Sequence, residues 1–177
     1  MNKFRNKRFN GLTYQFSHLN PMRIEVELKN SYTSETLTAC IDISFSHHCF
    51  TVEFINGTHQ DHHTYSHAGE KMAFNVDRYT LSLQLPTHMR RISGAYIHYA
   101  DNGNYRYMAD IPVEGSRNLS YSIFFNLAPK SKARRDHLKM FVVSAYIKNT
   151  KPKANSRTRR FKSLVAEVSD IFAGTGG

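Results

Sequence analysis

The sequence predicts an α+β protein built mainly from antiparallel sheet, and three observations carry that expectation. Period-two alternation recurs along the chain. It is most regular at residues 22–29, where Ile24, Val26 and Leu28 share one face and Arg23, Glu25 and Glu27 the other. One helical pattern then precedes four strand patterns in a row, joined by short connections. Finally, Phe161, Leu164, Val165, Val168, Ile171 and Phe172 recur at helical spacing near the C-terminus.

The elements follow in order. Residues 1–21 are polar and basic, with Lys3, Arg5, Lys7 and Arg8 close together, and are expected to form a flexible arm. A single α+β domain is expected over 22–173, with 174–177 as a disordered tail. After the strand at 22–29, residues 39–45 place Ile41, Ile43 and Phe45 on one face. Residues 50–55 are expected as a third strand or as an extension of the second past a kink at Ser46-His47-His48, and Asn56-Gly57 makes a turn. Residues 59–69 are expected as a polar, histidine-rich loop.

Asp77 is the expected N-cap of a helix whose face is Tyr79, Leu81, Leu85, Met89 and Ile92, kinked at Pro86 and stopped at Gly94. Strands are expected at 95–99, 104–111, 119–127 and 139–147, forming an antiparallel meander. The connection at 129–136 and the segment 148–160 are expected as basic loops. An amphipathic helix closes the chain, with a strand starting at Phe161 as the alternative.

The chain has 177 residues, with 24 Lys+Arg against 14 Asp+Glu and a formal net charge of +10. Such a balance points to a polyanionic partner, RNA or DNA, or else an acidic protein surface. Twelve Phe and ten Tyr supply core volume in the absence of Trp. The two cysteines, Cys40 and Cys49, exclude a disulfide framework and a four-thiolate zinc site, and fit a reduced, cytoplasmic chain. No apolar run approaches membrane-spanning length, and no signal-peptide core follows the basic N-terminus.

Five constellations could carry chemistry. His59, His62, His63 and His67, with Asp61 and His47/His48 nearby in sequence, are imidazoles that can bind zinc or nickel, but their spacing matches no standard metal motif, and no metal or other cofactor is expected. Ser46-His47-His48-Cys49-Phe50-Thr51 lies between apolar strands, which makes His48 a general acid–base candidate or a structural histidine bonded to backbone. Arg78, in the first turn of a helix, could hold phosphate. Ser144 and Tyr146 share a strand face, opposite Val143 and Ala145. Tyr96, Tyr99, Tyr105, Tyr107 and Tyr121 could stack bases or fill the core. The nucleic-acid contacts are expected from Lys130, Lys132, Arg134 and Arg135 and from Lys151, Lys153, Arg157, Arg159 and Arg160.

The order of helix and four-stranded antiparallel sheet, over Asp77 to Tyr146, resembles the barnase–EndoU–colicin–RelE class of small metal-independent ribonucleases and toxins. Three pieces, Ser-His-His-Cys-Phe-Thr (46–51), Asp-Arg-Tyr-x-Leu-Ser-x-x-Leu-Pro (77–86) and Ser-Ala-Tyr (144–146), also look like an uncharacterised bacterial family of prophages and integrative elements. The ribonuclease resemblance implies attack of an RNA 2′-hydroxyl on the adjacent phosphate. His48 would then move the proton, Arg78 and Arg91 would hold phosphate, and Ser144 and Tyr146 would orient it. The chain departs from that class in lacking an evident His or Glu on the central strands apart from His98. The resulting expectation is a nucleic-acid-binding protein of mobile-element or phage type, with a ribonuclease-like toxin or a host-takeover factor as its specific forms. The alternative is a non-enzymatic inhibitor or defence component that docks its basic surface on an acidic protein or a nucleic-acid channel.

Overall fold

A computed structural model of the chain describes residues 3–30, 34–116, 118–131, 134–149 and 158–172. The fold is α+β with mainly antiparallel sheet. A hairpin of β1 (Lys7–Phe9) and β2 (Leu12–Tyr14) comes first, followed by β3 (Met22–Lys29) and β4 (Thr36–Phe45). A small sheet is made by β5 (Thr51–Glu53), β6 (Thr64–His67) and β7 (Glu70–Phe74) in the order β5-β7-β6. Two short helices, α1 (Val76–Ser82) and α2 (Leu85–Arg91), lead to β8 (Tyr96–Asn102), β9 (Tyr105–Pro112), β10 (Leu119–Ser131) and β11 (Arg134–Asn149). The chain then adds β12 (Thr158–Arg160) and α3 (Phe161–Ser169).

Seven strands form the main sheet in the order β12-β8-β9-β10-β11-β4-β3. Every neighbouring pair is antiparallel except β11 and β4, which run parallel. Alternation decides which face is buried. Val26 and Leu28 of β3, Ile41, Ile43 and Phe45 of β4, Ile123 and Phe125 of β10, and Leu138, Met140 and Val142 of β11 enter one core. The helices close that core: α1 packs against β11, α2 against β3, and α3 against β3, β10 and β11. In α3 the apolar period buries Phe161, Leu164 and Val165. Among the described residues, no helix is long and apolar enough to cross a membrane.

Several expectations are corrected. For residues 3–21, the arm is folded rather than flexible. Asn10 (φ 48°) and Gly11 (φ 78°) supply the two left-handed residues that a tight hairpin turn demands. Phe4, Phe16 and Leu19 then reach the core at 1%, 0% and 0% exposure. Their neighbours tie down the small sheet: Arg5 donates to the Ser66 carbonyl (3.0 Å), and Lys7 to the carbonyls of His62 (2.7 Å) and Thr64 (2.8 Å).

The expected loop at 59–69 contains a 3-10 turn, Asp61–His63, and the strand β6. The single helix kinked at Pro86 is two helices, because Pro86 lies in the first turn of α2, where its missing N–H costs nothing. Asn75, not Asp77, caps α1: its side-chain oxygen accepts from the Arg78 N–H at 2.8 Å. The expected basic connection at 129–136 is mostly strand, since β10 runs to Ser131 and β11 starts at Arg134. The tail at 174–177 lies outside the described residues.

Candidate functional site

The site begins where β4 ends. Ser46 donates its N–H to the Val142 carbonyl (2.9 Å), and its hydroxyl accepts from the His48 N–H (3.2 Å). This caps the 3-10 turn His47–Cys49. Cys49 and Phe50 go into the core, where burial pushes the Cys49 thiol up to about 12. His47 and His48 therefore face the other way, with ring centroids 4.3 Å apart. They line a cleft of about 820 Å³ together with Arg78, Ser144 and Tyr146. The four catalytic candidates His48, Arg78, Ser144 and Tyr146 are thus brought to one place.

Two of the four act on His48 itself. Arg78 Nη1 donates to the carbonyls of His48 (3.1 Å) and Thr51 (2.7 Å). The Ser144 hydroxyl donates to the same His48 carbonyl at 3.4 Å. Both are positioning contacts, because they hold the turn that presents the imidazole. The Arg78 guanidinium also lies 4.7 Å from the Tyr146 ring centre, a cation–π distance. Burial lowers the Arg78 pKa, yet a guanidinium remains charged. Tyr146 stacks on Phe124 at 5.0 Å.

Strict alternation does not describe this strand, however. Phe124 pairs with Ser144 and Phe125 with Val142, so Val143 is an extra, bulged residue. Val143 consequently lines the cleft beside Ser144 instead of facing away, which corrects its expected place.

Glu70, His67 and Lys3 complete the site; nothing in the sequence points to Glu70, and the sequence places His67 in the histidine-rich loop and Lys3 in the basic arm rather than here. Glu70 Oε2 lies 3.0 Å from His47 Nε2 and 3.5 Å from His48 Nε2. His47 Nε2 is buried, and this contact does not meet hydrogen-bond geometry. Burial, then the neighbouring charge of His48, lowers the His47 pKa to about 4, against the opposing pull of Glu70. The imidazole at 3.0 Å is therefore neutral near pH 7, and the contact is not a formed ion pair. The His67 ring centre lies 5.1 Å from that of His47. The Lys3 ammonium donates to the Phe45 carbonyl at the cleft wall.

The remaining histidines of residues 59–69 have local uses. His59 Nδ1 accepts from the Ile55 N–H (2.9 Å), His63 Nδ1 from the Gln60 N–H (3.1 Å), and His62 stacks on Phe9. Neither Arg91 nor His98 lines the cleft; His98 sits 3.7 Å from Asp110. Of the tyrosines proposed to stack bases, Tyr107 and Tyr121 are buried, and Tyr96 lies beneath Arg160 at 5.0 Å.

Among the described residues, the basic candidates do not line the cleft. Lys130 pairs with Asp42 (2.6 Å), whose carboxyl Arg23 and Lys130 hold near 2. Arg134 pairs with Asp136 (3.1 Å), Arg135 with Asp170 (3.4 Å), and Arg159 with Glu167. Lys132, Lys151, Lys153 and Arg157 lie outside the described residues.

The buried histidine predicts a pH response. A folded-state pKa below the unfolded value means the unfolded chain binds more protons between the two, so stability falls with acidification. For His47 the window runs from about 6.5 down to about 4. Burial lowers His18, His67 and His88 in the same direction. Thermal midpoints at pH 7.5 and pH 5 should differ, and His47→Gln should narrow that difference. An unchanged difference would place the acid sensitivity elsewhere.

A family model matches residues 6–169, from the start of the N-terminal hairpin to the last residue of α3. The chain belongs to the YjaZ family. The match to the YjaZ family spans the N-terminal hairpin and the cleft residues His47, His48, Glu70, Arg78, Ser144 and Tyr146, and begins after Lys3 and Phe4. No curated protein and no solved structure matches the chain.

Proposed function

We propose that this YjaZ-family chain engages single-stranded nucleic acid and that the cleft is its phosphodiester site, where RNA is cleaved without a metal. The observation that carries this reading is the convergence of His48, Glu70, Arg78 and Lys3 in one cleft. Transesterification needs a proton acceptor, a proton donor and positive charge around one phosphate. Glu70 takes the proton of the 2′-hydroxyl as its oxygen bonds to phosphorus. Protonated His48 gives a proton to the departing 5′ oxygen as the P–O5′ bond breaks. The products are a 2′,3′-cyclic phosphate and a 5′-hydroxyl. Lys3 and Arg78 stabilise the charge on the phosphoryl oxygens. The resemblance to small metal-independent ribonucleases supports the same chemistry, and the net charge of +10 supports a polyanionic partner.

Binding is tested by fluorescence anisotropy with a labelled single-stranded RNA. With about five phosphate contacts, affinity should fall on the order of a hundredfold between roughly 50 and 200 mM salt. Lys3→Ala should reduce the salt slope, and so should joint neutralisation of Lys151, Lys153, Arg157, Arg159 and Arg160. Absence of binding at low salt would remove the reading and favour docking of the basic surface on an acidic protein.

A further inference from the structure

We propose that His47, His48 and Glu70 form a binding site for a divalent transition-metal ion of the zinc type. Among the described residues, one donor atom from each lies within 4.8 Å of the others. Two ligands at about 2.1 Å from a tetrahedral ion stand about 3.4 Å apart. The observed separations from the shared carboxylate oxygen, 3.0 and 3.5 Å, bracket that value. His47 Nε2 and that oxygen are close without the alignment of a hydrogen bond, which leaves a buried ring nitrogen with no hydrogen-bond partner among the described residues.

Imidazole and carboxylate together suit zinc, cobalt and nickel better than the all-oxygen preference of magnesium or calcium. The turn capped by Ser46 fixes both imidazoles, and Arg78 holds the turn from behind through the His48 carbonyl. Three protein ligands leave a fourth position facing the cleft. The nearby cations, Lys3 and His67 when protonated, oppose the ion, whereas Glu70 supplies the compensating negative charge.

The site uses the His47-His48 pair, together with Glu70, rather than His59, His62 and His63 of the histidine-rich stretch. It also has a consequence for the proposed cleavage: an ion on His48 and Glu70 occupies the atoms that would transfer protons. The metal-free chain would be the active form, and the loaded chain an inhibited one. Metal binding itself does not depend on that reading.

The test uses the full chain without a histidine tag and without RNA. Cobalt(II) is titrated while visible d–d absorption is followed, and zinc is titrated by calorimetry. One equivalent should bind to the native chain. Glu70→Gln and His48→Ala change partly exposed groups, and each should weaken binding at least tenfold. The triple variant His59→Ala/His62→Ala/His63→Ala should bind as the native chain does. No saturable binding, binding that survives Glu70→Gln and His48→Ala together, or binding lost in the triple variant would overturn the proposal. Because RNA is absent, any of these results leaves the cleavage reading to its own assay.

Discussion

His48→Ala should lower RNA cleavage by about 10²–10⁴-fold while leaving RNA affinity nearly unchanged, measured in chelator so that no metal occupies the cleft. The split follows from what the side chain offers. Its imidazole faces the cleft 3.5 Å from the Glu70 carboxylate, whereas its backbone carbonyl is the part that Arg78 and Ser144 hold. Removing the ring takes away the proton donor and leaves the turn's backbone contacts in place. Glu70→Gln should fall in the same range, because an amide cannot accept the 2′ proton. Arg78→Lys should behave differently. Arg78 bonds both carbonyls through Nη1 while its planar guanidinium lies against the Tyr146 ring, and a lysine ammonium cannot keep both, so this variant should lose rate and some thermal stability together. Single-turnover cleavage of a defined RNA, with affinity measured separately, checks all three. Equal cleavage by the native chain and His48→Ala would end the catalytic reading and leave a binding module.

Phe16→Ala should destabilise the protein by about 3–5 kcal/mol, lowering the thermal midpoint by roughly 6–20 °C. Phe16 is 0% exposed, and its ring centre lies 4.1 Å from that of Phe50. The same aromatic cluster includes Phe4, Tyr65, Phe74 and Tyr79. Its loss would leave a cavity under the turn that presents His47 and His48, because Phe50 immediately follows that turn. Deleting residues 1–20 removes Phe4, Phe16 and Leu19 at once. Three buried side chains at about 1.5–3 kcal/mol each approach the whole stability of a typical domain, so the shortened chain should not fold. Leu12→Ala is the control, since Leu12 is 61% exposed and its removal should change little. A Phe16→Ala midpoint within about a degree of the native value would mean that the N-terminal segment does not contribute to the core.

The elements legible in the sequence are those whose evidence is local. Residues 22–29 alternate without interruption, and β3 has those bounds. The period from Phe161 buries Phe161, Leu164 and Val165 in α3. Asn10-Gly11 is an equally local hairpin signal, but the surrounding positive charge makes residues 1–21 read as an arm. Burial of Phe4 and Phe16 depends on distant Phe50 and Tyr65, and no local pattern shows that. Strand β6 is four residues long and lies inside the histidine-rich stretch, and β7 is five residues long without polar–apolar alternation, so neither shows a strand pattern of its own.

The candidate site divides in the same way. His48, Arg78, Ser144 and Tyr146 stand out from their own neighbourhoods by residue type. Their convergence rests on the parallel pairing of β4 with β11, which joins segments that are far apart along the chain; Ser144 meets the His48 carbonyl across 96 residues. Glu70 reaches the two imidazoles only because Ala68 and Gly69 turn β6 back into β7, with φ of 50° and 83°. Composition established a basic chain, but only the fold decided that Lys130, Arg134, Arg135 and Arg159 lie against carboxylates while Lys3 lies at the cleft. Local periodicity is written in neighbouring residues. Charge pairing and site assembly are set by long-range strand registry, which a single sequence does not encode in any one stretch.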